Sequence, residues 1–300
     1  MSPAPRPPLR VALARSVDVL ARGRYAYEPK FDGHRLVVFR TDRGVQLQAR
    51  SGRIVTDSFP DLARAARELP PGTVLDGEVV VWTGGRTDFA AVQTRAMAGR
   101  TRAAALAREL PASYAAFDLL GSGSADLRGR PYEERRSALV ELLTPLGPPL
   151  QPVPVTTDPE TATAWYESLR EVGVEGLVMK RLDHPYRAGR RDWLKLRHNE
   201  TRDAVVVGHT GPRTRPKNLV LVLPGDDAPV LSGRLPPNLQ ATLAEALAGL
   251  GPPDGAAGER RSTPDGATLY TPVGPGLTVE VLWTETRTPI ITVLRLRGPE

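Results

Sequence analysis

Four lysines, Lys30, Lys180, Lys195 and Lys217, stand among forty basic residues, and the other 36 are arginine. A chain that uses arginine wherever a positive charge suffices keeps lysine for what arginine cannot do: lose its proton and attack an electrophile. The excess of Ala, Arg, Gly and Pro also accords with a base-composition bias, which weakens the point for any single lysine. Lys30 has the most suggestive surroundings, Glu28-Pro29-Lys30-Phe31-Asp32-Gly33-His34-Arg35, running into the apolar stretch Leu36-Val37-Val38-Phe39. A free lysine titrates near pH ~10.4. A nucleophilic one must sit where its charge is disfavoured, beside other cations or a metal ion.

Further groups recur downstream. Arg35 and Arg50 could fork onto phosphate or sugar oxygens. Glu78, in Leu75-Asp76-Gly77-Glu78, and Glu175, in Glu175-Gly176-Leu177-Val178-Met179-Lys180, are carboxylates at the edges of β-like runs and suit a hard divalent ion. Asp76 reads as a turn residue. Phe117, in Tyr114-Ala115-Ala116-Phe117-Asp118-Leu119-Leu120, is either a core side chain or an aromatic face for a base. In Trp193-Leu194-Lys195-Leu196-Arg197 the alternation puts both cations on one strand face. Taken singly, each has a plain structural reading as a turn acid, a core ring or a surface charge.

The elements that must position these groups follow from period and punctuation. Strands are expected at 34–40, 45–50, 73–82, 113–119 and 175–181, and helices at 60–69, 100–110, 131–143 and 160–172. Residues 1–24 read as a Pro/Arg-rich arm, and 144–159, with six prolines, as a loop or extended connection. Short β-runs at 203–209, 218–223, 229–233 and 277–284, a helix at 238–250 and a Gly/Pro/Ala-rich loop at 251–266 suit a small β-barrel. The expectation is two domains, 1–198 and 199–300. The fold class is α+β, with antiparallel sheets and flanking helices followed by a barrel of the oligonucleotide-binding (OB) type.

Cysteine is absent, which excludes disulfides and thiolate metal sites, and the four histidines show no metal-binding spacing. No long apolar run or signal-peptide pattern occurs, so a soluble cytoplasmic protein without membrane contact is expected. A net charge of +6 suits a polyanionic partner.

The order and spacing of these segments resemble the nucleotidyltransferase motifs of ATP-dependent DNA ligases, closely over 25–198 and weakly beyond. The likeness is greatest to small bacterial ligases and the ligase modules of end-joining enzymes. The resemblance implies that Lys30 accepts AMP from ATP. It implies that Glu28 reads the adenine, Phe117 stacks on it, and Glu78 and Glu175 contact ribose or hold Mg²⁺ (Mn²⁺ being the alternative). Lys180, Lys195 and Arg197 would surround the α-phosphate, with Arg197 standing where the family more often has lysine. A last motif contacting the β- and γ-phosphates matches Arg287-Thr288-Pro289 and Leu294-Arg295-Leu296-Arg297, with Arg297 as the phosphate contact. The implied partner is nicked double-stranded DNA, handled by a monomer in repair or end joining, with Ku among the candidate partners. An RNA ligase, a GTP-using capping enzyme and an inactive nucleic-acid-binding module stay open beside this reading.

Overall fold

Strand alternation and hairpin turns build three sheets in the computed structural model, which describes residues 4–226, 228–253, 260–263, 267–284 and 290–297. The chain divides into two compact units, Met1–Arg197 and His198–Glu300.

The first unit holds two sheets. The smaller has the order β1 (Ala14–Ser16), β11 (Trp193–Arg197), β10 (Val174–Arg181), β2 (Tyr25–Phe31). The larger runs β4 (Gly44–Ala49), β3 (His34–Thr41), β5 (Val74–Thr83), β7 (Ala112–Ser122), β8 (Ala125–Asp126), with β6 (Arg86–Thr87) on β5 and β9 (Leu150–Pro152) parallel to β7. Among its described residues five α-helices occur: α1 (Pro60–Ala65), α2 (Phe89–Met97), α3 (Arg100–Glu109), α4 (Tyr132–Leu143) and α5 (Pro159–Ser168).

Period-two alternation sorts each strand between two cores. Leu36, Val38, Leu75, Val79 and Leu119 of the larger sheet pack with Leu62 of α1 and Leu139 of α4. Their alternates Val37, Phe39, Val74 and Leu120 meet Trp193 and Tyr186, together with Leu9, Val11 and Ala12 of the N-terminal segment. Tyr27, Leu177, Met179, Leu194 and Leu196 of the smaller sheet pack under Ala162 of α5. The described part of the 1–24 segment, residues 4–24, is thus joined to the core rather than an arm: β1 pairs in parallel with β11, and Leu13 and Arg190 bond through their backbones at 2.8 Å.

Lys30 lies within a strand, β2, rather than ahead of one. Pro29 hides this in the sequence, and it is tolerated because β2 is an edge strand. Helix α2 was also unexpected. Asp88 caps it, accepting a bond from the Ala91 N–H at 2.8 Å. The proline-rich 144–159 stretch contains β9.

In the second unit β14 (Val230–Leu231), β13 (Asn218–Val222), β12 (Asn199–Thr210), β16 (Leu269–Pro272) and β15 (Arg261–Ser262) lie in that order; β17 (Thr278–Thr284) pairs with β12 and β18 (Ile290–Leu296). The twelve-residue β12 gives one half to β17 and the other to β13, so the sheet curls around a core of Val206, Leu221, Val279, Val281 and Leu243 of α6 (Pro237–Ala248). This is the small OB-type half-barrel expected. Most of the 251–266 loop, and all of Arg287-Thr288-Pro289, lie outside the described residues.

Candidate active site

Register places the cations on a single face of the smaller sheet. Glu28 pairs with Val178, Val178 with Lys195, Gly176 with Arg197, and Lys180 with Ala26. Alternation then projects Glu28, Lys30, Val178, Lys180, Trp193, Lys195 and Arg197 to the side opposite the Tyr27/Leu177 core. The larger sheet offers Arg35, Asp76 and Glu78, neighbours through the pairs Arg35–Glu78 and Val37–Asp76.

Glu175 should face the other way by alternation. The β10–β2 register shifts between Val174 and Leu177, and Gly176 takes φ +142°. This bulge re-aims Glu175, whose Oε1 meets the Lys30 Nζ and lies 3.6 Å from Arg197 Nη2. Only glycine serves at 176, because a Cβ there would lie 2.0 Å from the Leu196 carbonyl oxygen. Gly33 is required for a similar reason: its Cβ would meet the Val79 carbonyl oxygen at 2.1 Å and Glu78 Cγ at 2.9 Å. Gly33, three residues after Lys30, thereby lets the chain leaving β2 approach Glu78.

The surroundings of Lys30 weaken its hold on the proton. Burial lowers its pKa to about 8, Arg197 and Lys195 push in the same direction, and Glu78 and Asp32 oppose them. Glu78 moves the other way, to about 7, because burial and the nearby Asp32 and Asp76 outweigh Lys30 and Arg35. Burial also lowers Lys195, followed by Arg197, Arg191 and Arg50. Arg50 is exposed just past β4, close enough to join this cationic group. Among the described residues the buried Nε of Arg197 has no acceptor. An unmet guanidinium donor amid several cations is a natural seat for phosphate oxygens.

Three expected site residues, Lys180, Arg35 and Glu28, are engaged inside the protein. Lys180 shares the face of Lys30, Lys195 and Arg197 but is paired within the protein. Its ammonium is almost fully buried, 2.8 Å from Glu28 Oε2, donates to the Phe117 carbonyl at 2.8 Å, and lies 4.3–4.9 Å from the ring centres of Trp193, Phe117 and Tyr132. A buried ammonium is costly unless paired in this way. Arg35 forks onto Asp76 at 2.6 and 2.9 Å, donates to the Ala12 carbonyl at 2.7 Å, and lies over Phe117 and Trp193. Burial alone would lower its pKa, but Asp76 holds it raised. Glu28 is buried between Lys180 and the Tyr132 hydroxyl. The Phe117 ring, half-buried, meets Trp193 edge-on at 5.7 Å.

Sequence reasoning missed the scaffold behind these groups. Tyr186 donates to Asp76 at 2.6 Å and accepts from the Ala12 N–H at 2.9 Å. Arg135 of α4 forks onto Asp118 at 2.7 and 2.9 Å. Asp76 and Asp118 are both fully buried, so Asp76 is a pillar of the site and not a turn residue. Arg297, in the second unit, pairs with Asp203 at 2.8 Å and lies 3.5 Å from Glu280, whose other oxygen meets Arg295.

The family described as "ATP dependent DNA ligase domain" matches residues 9–197. The chain is 39% identical over 230 residues to DNA ligase C2 of Mycolicibacterium smegmatis, covering 75% of this chain and 65% of that protein. It is 39% identical over 208 residues to DNA ligase C of Mycobacterium tuberculosis, covering 68% and 58%. The match thus spans less than two thirds of these relatives' length. The ligase domain of LigD from M. tuberculosis superposes with a TM-score of 0.57 at 30% identity over 96% of this chain and 95% of that one. A mycobacterial DNA ligase D complexed with ATP gives 0.56 and 29%, over 97% and 96%. With a family match running from the N-terminal core segment through β11, and solved ligase domains of similar fold over nearly the whole length, the chain belongs to the ATP-dependent DNA ligase family.

Proposed function

We propose that the protein seals nicks with 5′-phosphate and 3′-hydroxyl ends in duplex DNA, through a lysyl-AMP intermediate on Lys30. The observation that carries the reading is the convergence of Lys30, the bulge-turned Glu175, Lys195 and Arg197 at one sheet face, with the buried Arg197 Nε lacking an acceptor. Neutral Lys30 Nζ attacks the α-phosphorus of ATP. The bond from that phosphorus to the bridging oxygen breaks, pyrophosphate leaves with the electron pair, and the amine proton passes to Glu175 or Glu78. Lys195, Arg197 and Arg50 offset the charge that develops on the phosphates, an electrostatic role that costs no reorganisation during reaction. An oxygen of the DNA 5′-phosphate then attacks the lysyl-AMP phosphorus, and Lys30 leaves, taking a proton back. Last, the 3′-hydroxyl attacks the activated phosphorus, AMP departs and the hydroxyl proton is lost.

Glu78 and Glu175 would hold a divalent ion. Among the described residues no cluster of three or more metal-binding side chains occurs. That donor set fits Mg²⁺ or Mn²⁺ bound by one or two carboxylates, with water and substrate phosphate completing the shell. When bound, the ion supplies Lewis-acid polarisation of the phosphoryl oxygens. Glu28, with Lys180 and Tyr132 fixing its carboxylate, and Phe117 are assigned to the adenine. Arg35 is assigned to the ribose or phosphate side, and Arg297 to the β- and γ-phosphates. The same reading sets a monomer in the cytoplasm on nucleoid DNA, in repair or end joining, with Ku as a partner to test by co-purification.

Labelling tests the chemistry. The protein, stripped of bound AMP with pyrophosphate, is incubated with Mg²⁺ and α-labelled ATP or GTP beside its Lys30→Ala variant, then denatured. Label from ATP in the parent alone supports the reading, and a nicked duplex then tests sealing. Label from GTP moves the protein to the capping class, and no label favours a binding module.

A further inference from the structure

Away from the Lys30 site, the 3₁₀ turn Thr56–Ser58, α1 and α3 enclose a cavity of about 420 Å³ lined by Thr56, Asp57, Ala63, Arg64, Arg67 and Arg100. Three guanidinium groups face one carboxylate there. Arg64, Arg67 and Arg100 are exposed, and among the described residues neither Arg64 nor Arg67 makes an ion pair. Arg100 reaches Asp57 only loosely, at 3.9 Å. Arg64 and Arg67 are three apart on one continuous helical run, where like charges repel. The fold therefore concentrates positive charge that it does not neutralise.

The cavity connects to the catalytic cations by a short path. β4 is the outer strand of the larger sheet. Past its end come Arg50, within electrostatic reach of Lys195, and exposed Arg53, whose carbonyl accepts from the Ala49 N–H at 2.8 Å. The chain turns back along β4, with the Leu47 N–H donating to Thr56 Oγ1 at 3.0 Å, and enters the cavity wall. Arg50 and Arg53 thus follow the end of β4 between the surroundings of Lys195 and the wall of this cavity.

We propose that the Arg64/Arg67/Arg100 cavity binds the sugar–phosphate backbone of duplex DNA flanking the nick. The inference rests on the nick-sealing reading and adds to it a second phosphate site outside the catalytic face. Arginine suits phosphate because its fork makes two parallel hydrogen bonds. The three guanidinium groups give the cavity a positive rim, and its volume admits a nucleotide's sugar and phosphate.

Anisotropy of a labelled nicked duplex, measured across roughly a tenfold range of salt, reads the site directly. Each phosphate contact contributes about 0.9 to the slope of log affinity against log salt. The Arg64→Ala/Arg67→Ala double variant should give a slope shallower by roughly 1.8, weaker binding at low salt and an unchanged rate of Lys30 labelling. Asp57→Asn should tighten binding. A double variant with the parent's slope and normal Lys30 labelling overturns this site and leaves the ligase reading standing. A parent that neither labels Lys30 nor binds duplex overturns both.

Discussion

The rate of self-adenylation should inflect near pH 8. Attack requires neutral Lys30, whose pKa falls from 10.5 to about 8 through burial and the charges of Arg197 and Lys195. At pH 7 a group of pKa ~8 is neutral in roughly a tenth of molecules, whereas one of pKa ~10.5 is neutral in roughly three of 10,000. The site is thereby worth about 300-fold in reactive amine, or about 3 kcal/mol. The assay is single-turnover transfer of label from saturating ATP, quenched with acid, from pH 6 to 10. Between pH 6.5 and 8 the rate should rise about 16-fold and then flatten. Two variants move the inflection in opposite directions. Arg197→Gln removes a cation that lowers the Lys30 pKa, so the inflection shifts up. Glu78→Gln removes a carboxylate that raises it, so the inflection shifts down. Both lower the plateau, but the inflection is read independently of plateau height. A log-linear rise to pH 9.5 in the parent, or the same inflection in all three proteins, would refute the electrostatic account.

Other perturbations test the scaffold. Gly176→Ala places a Cβ against the Leu196 carbonyl at a φ that side chains rarely adopt. It should cost about 1–3 kcal/mol in urea unfolding and lower adenylation at least tenfold through Glu175. Asp118→Ala leaves the buried Arg135 guanidinium without its fork partner. A loss of about 3–5 kcal/mol is expected by the same measurement, with a pH profile like the parent's in the protein that remains folded. Tyr132→Phe removes one of two groups holding Glu28; the preference for ATP over GTP in labelling should fall while the rate at saturating ATP changes little.

The strings that form the candidate site were legible because their spacing is local. Lys30 to Arg35 and Lys195 to Arg197 each lie within a few residues, and alternation along β11 places both of its cations correctly. What escaped the sequence was set by partners far along the chain. Tyr186 lies 110 residues from Asp76, and Tyr132 lies 104 from Glu28. No local period encodes those distances. The N-terminal segment looked like an arm because its prolines and arginines mask Leu9, Val11 and Ala12, which reach the core only through tertiary packing. Glu175 shows the opposite failure: strict alternation points it the wrong way, and a bulge around one glycine reverses it. Asp88, by contrast, was a readable cap whose helix was overlooked.

The scarcity of lysine can now be weighed against a bias in base composition. Such a bias would leave the surviving lysines scattered. Three of the four instead share one inner sheet face of the first unit, as Lys30, Lys180 and Lys195, while Lys217 is exposed in the second. Each of the three demands something a guanidinium lacks. Lys180 fits a compact ammonium between the Glu28 carboxylate, a backbone carbonyl and three rings, a box too small for a planar fork. In the proposed reaction Lys30 must lose its proton near neutral pH, and an arginine in its place would stay charged whatever surrounded it. Lys195 is lowered in the same direction by burial and by three arginines. Crowding Arg197 beside Lys30 therefore acts in one sense only: the arginine keeps its charge and weakens the hold of Lys30 on its proton. In the proposed reaction that division makes the cluster both a phosphate seat and the environment that frees the Lys30 amine.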